Sequence, residues 1–236
     1  MAAAAVLQES FYARPVLEVA PALIGCTVVR GGTRGVIVET EAYHEEEPAC
    51  HAYAGRTPRT SVLFGPGGVA YVYRSYGIHV MLNAVCDVDG VGAAVLIRAL
   101  RPAAGLATMR RRRLAAARGV KARALDAGAD PARTRMIPDR ELCSGPGRLT
   151  QALGIELADN GTSLASGPVR ILHGDGPPAE VVVSTRIGIT KATELPWRFS
   201  LAGDVNVSRP WPWRGPGGAA RGARGARRRA RVSRRG

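Results

Sequence analysis

The sequence predicts an α+β protein: a single mixed domain built on a curved, largely antiparallel sheet with surrounding helices. Three observations carry this reading. Short runs rich in Val, Ile, Leu and Tyr recur along the chain and are bounded by Gly, Pro and Asp. Two pairs of runs are joined by Gly31-Gly32-Thr33-Arg34 and by Asp87-Val88-Asp89-Gly90-Val91-Gly92, links that suit antiparallel neighbours. The chain has 236 residues, 46% hydrophobic and 22% charged, a globular composition long enough for one sizeable core.

The elements follow in chain order. Pro15 to Ile24 reads as helical: Leu17, Ala20, Leu23 and Ile24 share a face, Pro15 suits a first turn and Gly25 a stop. Pro21 is expected to kink it. Cys26–Arg30 and Gly35–Tyr43 read as a pair of strands. Strict alternation in the second puts Ile37, Glu39, Glu41 and Tyr43 on one face. A Gly/Pro-punctuated loop runs from His44 to Gly68, and loops of that length are often functional. Val69–Tyr73, Ile78–Cys86 and Ala93–Leu100 are the next strands. A basic helix is expected from Ala103 to about Leu125. Leu142–Ile155 reads as a turn and a short helix, with Leu149 and Leu153 at i, i+4. Val169–Leu172, Val181–Ile189 and Trp197–Leu201 complete a strand-rich end. The expected division is a flexible N-terminus over 1–9, a folded domain over 10–213 and a basic tail over 214–236.

The formal net charge is +14, unevenly placed. Residues 214–236 hold nine arginines, six glycines and no acid. Such a segment cannot bury a core and reads as a disordered tail, either a polyanion tether or an extension of little consequence. Residues 101–140 hold eleven Lys/Arg against three Asp. That block suits phosphate contacts, and an ordinary solvated basic helix equally. No apolar run approaches the roughly 18 residues of a membrane span. The apolar start is too short for a secretory signal and no positive charge precedes it, so a cytoplasmic protein is expected. Cys26, Cys50, Cys86 and Cys143 show no CxxC pair or zinc spacing, and four reduced thiols in packing roles are expected.

Four features carry chemistry. Glu39-Thr40-Glu41-Ala42-Tyr43 ends a strand at the mouth of the long loop, where a carboxylate can serve as a general base; an exposed strand-end acid is the bland alternative. Tyr71-Val72-Tyr73-Arg74-Ser75-Tyr76-Gly77 holds three of the six tyrosines, interleaved with arginine, which suits either stacking on bases or core packing. The basic block is the third. His51, in Ala49-Cys50-His51-Ala52-Tyr53, is the fourth and suits a structural or a site role. No metal is expected, because His44, Glu45, Glu46, Glu47 and His51 lack the i, i+4 spacing of a hydrolase zinc site. No nucleotide cofactor is expected either: Ser144-Gly145-Pro146-Gly147-Arg148 lacks the Lys-Ser/Thr of a phosphate-binding loop.

Taken in order, Val38–Tyr43, His51–Arg59, Tyr71–Gly77, Leu82-Asn83, Val95–Leu100 and Glu141–Ile155 resemble the alkylpurine (3-methyladenine) DNA glycosylase family, of the human alkyladenine glycosylase type. Arg186–Ile189 and Leu195–Phe199 resemble its C-terminal end. The likeness spans roughly residues 10–210 and leaves out the basic tail. It implies a monofunctional enzyme of base excision repair that flips alkylated purines out of double-stranded DNA and hydrolyses the N-glycosidic bond. Glu41 matches the general base, and Arg98 a polar partner on the water and sugar-phosphate side. Tyr43, His51 and Tyr73 match the pocket for the flipped base. Asn83 matches the residue that screens out normal purines, and Tyr76 the residue that inserts into the duplex.

The resemblance further implies a monomer without cofactor, associated with the nucleoid through DNA. No lysine in these motifs is placed for a Schiff base, so water is the expected nucleophile. His44-Glu45-Glu46-Glu47-Pro48 is more acidic than the family pattern, and those acids either weaken DNA binding or turn away from it. The rivals are a catalytically silent duplex-binding protein of the same fold and a metal- or nucleotide-dependent enzyme. The intact Glu41, Tyr43, His51, Tyr73 and Asn83 argue against the first, the missing ligand spacing against the second.

Overall fold

In a computed structural model, residues 4–125, 137–176 and 180–212 are described. A long antiparallel pair forms the centre. β2 (Thr33–His44) runs against β5 (Ala93–Ala104) along one edge. Its other edge is shared. The first half pairs with β1 (Thr27–Arg30), which carries β6 (Val169–Leu172); the second half pairs with β8 (Arg198–Leu201), which carries β7 (Val181–Ser184). Beyond β5 lie β4 (His79–Val85) and β3 (Ala70–Ser75). Every pairing is antiparallel, so the expected class holds.

The sheet forks where β2 changes phase. Ile37 pairs with Leu100, Glu39 with Ala99 and Thr40 with Ile97, which leaves Val38 and Arg98 as extra residues of two opposed bulges. Ile37 therefore shares the core face with Ala42, and Thr40 Oγ1 donates to Ala20 O at 2.8 Å on that side. This corrects the strict alternation expected from sequence. Ile37 is not on the face of Glu41 and Tyr43, because one extra residue reverses every side chain beyond it.

The main core lies between the sheet and the helices. α1 (Glu9–Tyr12) and α2 (Val16–Ala22) supply Tyr12, Val16, Val19 and Ala20. Pro21 sits in the last turn of α2. Residues 5–7, expected to be flexible, extend the sheet edge: Leu7 N donates to Ile171 O at 2.9 Å, and Leu7 is fully buried. β5 runs four residues further than expected, so α3 (Leu106–Leu125) starts after Gly105. α4 (Asp139–Leu142) and α5 (Pro146–Leu153) pack against α3 and β5. The tail 214–236 lies outside the described residues, as does part of the basic block.

The loop expected from His44 to Gly68 holds 3₁₀ turns at His51–Ala54 and Ser61–Phe64 that cover the second sheet face. Close approach fixes this cover. A Cβ on Gly92 would lie 2.5 Å from that of Ala52, and Gly92 N donates to Glu45 Oε2 at 2.8 Å.

Candidate active site

Between the covering loop and the sheet face is a cavity of about 650 Å³. β2 sends in Tyr43, β3 Tyr71 and Tyr73, β4 Asn83, β5 Arg98, and the covering loop His51. The residues alternate at i, i+2 along β3, so Tyr71 and Tyr73 share one face by the pleat. Their rings stack at 5.3 Å, and the His51 ring meets Tyr73 edge-on at 4.6 Å. His51 Nδ1 lies 3.1 Å from the Tyr71 hydroxyl. Asn83 Nδ2 donates to Tyr71 O at 3.1 Å, which fixes the amide in the wall.

Glu41 lies directly behind this wall, fully buried. Its Oε1 accepts from Ile187 N at 2.8 Å and its Oε2 from the Tyr43 hydroxyl at 2.8 Å, and Arg98 Nη1 forms an ion pair with Oε2 at 3.0 Å. All three partners line the cavity. A carboxylate offers about four acceptor sites, so one site on Oε1 remains.

Glu39 is used differently. Its Oε1 accepts from Arg98 Nε at 3.0 Å, Arg198 Nε at 2.7 Å and Ser208 Oγ at 2.9 Å, and its Oε2 from Ser208 N at 2.7 Å. A third buried pair completes the wall: Arg186 is bidentate to Glu47 at 2.6 and 2.9 Å and stacks on the Tyr43 ring at 4.7 Å. Glu39, Glu41 and Glu47 thus face Arg98, Arg186 and Arg198, three charges of each sign out of water.

These surroundings set protonation. Burial lowers the Arg98 guanidinium, and Glu41 and Glu39 more than reverse it, so it stays a cation. Burial first, and the Glu41 charge next, push the Tyr43 phenol far up. Burial pushes Tyr73 up to about 12. Both rings are neutral phenols through the physiological range. His51 is lowered by burial and then by the Arg59 cation, which makes it a neutral imidazole at pH 7.

At the cavity mouth the β3–β4 turn carries Tyr76 at φ 48° and Gly77 at φ 70°, with Ile78 N donating to Ser75 O at 3.1 Å. Positive φ at both central residues is the primed turn that matches strand twist. Tyr76 is 88% exposed and Ile78 65%, an unsupported aliphatic and aromatic pair at the tip.

Of the seven site residues expected from sequence, Tyr43, His51, Tyr73, Tyr76, Asn83 and Arg98 line one cavity and Glu41 sits behind it. Tyr71, Arg59 and Ile187–Ile189 also line it and had been given no role. The i, i+2 relation to Tyr73 is a signal that finds Tyr71. The likeness of Arg186–Ile189 to the family marks the stretch that holds Ile187 but gives it no role, and it was expected in a strand: β7 ends at Ser184, and Gly188 at φ 76° turns the chain into the site. Two of the three loop acids turn inward, Glu47 to Arg186 and Glu45 to Gly92 N, while Glu46 stays at the surface.

A family model described as methylpurine-DNA glycosylase matches residues 10–205. A protein of Rhodopseudomonas palustris (strain BisB18) is 53% identical over 87% of this chain and 92% of its own length. One of Methanoculleus marisnigri is 45% identical over 86% of this chain and 98% of its own, and one of Rubrobacter xylanophilus 46% over 77% and 86%. All three carry the name "Putative 3-methyladenine DNA glycosylase".

Proposed function

Because the chain belongs to the methylpurine-DNA glycosylase family, we propose that it excises alkylated purines of the 3-methyladenine and 7-methylguanine type from duplex DNA by base flipping and attack of a Glu41-activated water. Hydrolysis of an N-glycosidic bond in DNA follows from the family alone. The finer reading rests on one observation: a buried carboxylate with a single open acceptor site, held behind an aromatic cavity by residues that line it.

The steps follow from the residues. The sugar C1′ is inside the base stack, so the nucleotide must be extruded at a cost of a few kcal/mol. Tyr76 offsets part of this by filling the gap, since stacking on an aromatic is worth roughly 1–3 kcal/mol per base. An N3- or N7-alkylated purine is cationic and is attracted to the faces of Tyr43 and Tyr73. It is also a good leaving group. A water on the open site of Glu41 gives up its proton as the C1′–N bond breaks. The same carboxylate stabilises the oxocarbenium-like sugar, and Arg98 holds the carboxylate in place. His51 is neutral at pH 7, which argues against it as a general acid for neutral lesions such as hypoxanthine. The chain acts as a monomer and without a cofactor.

The test is base release from a duplex carrying one alkylated or etheno-modified adenine. Release persists in EDTA. Glu41→Gln lowers it by about 10²–10⁴-fold, the range for a general base, with lesion binding retained. An unchanged rate in that variant removes Glu41 as the base.

A further inference from the structure

A second cavity, of about 580 Å³, adjoins the first and shares Arg98 and Pro146 with it. Arg140 from α4, Arg148 from α5 and Arg209 from the C-terminal segment converge on it, all three exposed. Arg148 Nη1 is 3.3 Å from Ser144 Oγ, and Arg209 stacks on the Trp211 ring at 4.9 Å. None of the three has a carboxylate partner among the described residues. Among the described residues Glu141 is the one acid in the lining.

The segment that presents Arg209 is anchored. Arg198 Nη2 donates to Ser208 O at 3.0 Å and Pro210 O at 3.1 Å, and Trp211 Nε1 to Val207 O at 2.9 Å. Arg209 and Trp211 lie beyond the residues that match the family model. The arginine-rich stretch of the sequence begins three residues after Trp211.

We propose that this second cavity seats backbone phosphates of the DNA strand whose base occupies the first, with Arg140, Arg148 and Arg209 as the phosphate ligands. The assignment rests on DNA as substrate. A base in the first cavity leaves its backbone at the mouth, and the phosphates next along the strand meet the adjoining surface. Guanidinium groups suit them, as planar donors that stay charged and bind phosphate oxygens in pairs. Trp211 holds Arg209 in place at low entropic cost.

The experiment measures affinity of the full chain for an etheno-adenine duplex against salt concentration. The variants are Arg140→Gln, Arg148→Gln and Arg209→Gln, with Arg170→Gln on β6 as the control. Each phosphate contact contributes roughly 0.9 to the slope of log K against log salt. Each of the three variants flattens the slope by about that amount, Arg209→Lys restores it, and the control keeps it. Replacing single phosphates by neutral methylphosphonates weakens wild-type binding at one or two positions beside the lesion, and less so in Arg209→Gln. Unchanged slopes in all three variants overturn the proposal. Strong competition by inorganic phosphate at equal ionic strength marks a free-anion site and overturns it too. Base release is read in parallel. Release with unchanged slopes sinks the groove alone, while flattened slopes in a protein without release keep the groove and sink the glycosylase reading.

Discussion

Glu39 and Glu41 are two residues apart on one strand, and their hydrogen bonds divide the work between them. Glu39 accepts four hydrogen bonds, three of them on Oε1; Glu41 accepts two and adds an ion pair to Arg98, which leaves Oε1 with a single donor. Removing Glu39 leaves Arg98 and Arg198 buried with an unbalanced charge. Glu39→Ala therefore lowers stability by about 3–5 kcal/mol, measured by chemical denaturation; a loss below about 1 kcal/mol would show that the wall tolerates the imbalance. His51 gives a pH prediction. Its folded value is below the ordinary 6.5, so below that pH the unfolded chain binds the proton first. Stability from this group is present above 6.5 and is lost as pH falls towards the folded value. His51→Gln loses less melting temperature than the wild type between about pH 7 and about pH 5; equal losses remove His51 as a cause. The sequence shows both acids and the histidine. It does not show which acid is the more heavily bonded, because the Glu39 donors come from 59, 159 and 169 positions away.

The elements themselves were largely legible, since hydrophobic alternation and turn residues are local signals. The strands of the central sheet fall within a few residues of their expected ends. What was not legible is how the elements are re-aimed. The opposed bulges at Val38 and Arg98 turn a polar residue into the site wall and need both strands to exist. The basic helix is a similar case. Arg112 Nη1 donates to Leu153 O at 2.6 Å and Ala152 O at 3.1 Å, closing the open end of α5, and Arg110 and Arg113 pair with Asp139 and Gln151. These three arginines bond within the fold, which neither of the two readings of the basic block, phosphate contacts or a solvated helix, had foreseen. The β3–β4 turn holds Tyr76 at positive φ. A non-glycine residue at positive φ costs roughly 1–2 kcal/mol. Tyr76→Gly is thus neutral to stabilising by about 1 kcal/mol, yet weakens lesion binding more than binding to undamaged duplex. Equal losses on the two duplexes count against insertion.

At the scale of the molecule, charge and chemistry occupy different places. Nine of the +14 charges lie on residues 214–236. Deleting them lowers affinity for undamaged duplex and flattens its salt dependence, as fewer counterions are released; an unchanged slope marks the tail as inert. The site wall, by contrast, is balanced, three buried carboxylates against three buried arginines. The sequence by itself determined the α+β class, the succession of strands along the chain, the family likeness and six residues of one cavity, because patterning and short motifs are written in neighbouring positions. Only the tertiary structure decided that Glu41 keeps an open acceptor site, that Glu45 and Glu47 turn inward, and that Arg209 lines one cavity with Arg140 and Arg148 beside the candidate site. Each depends on groups far apart in the chain, and only packing brings such groups within hydrogen-bonding or Coulombic range.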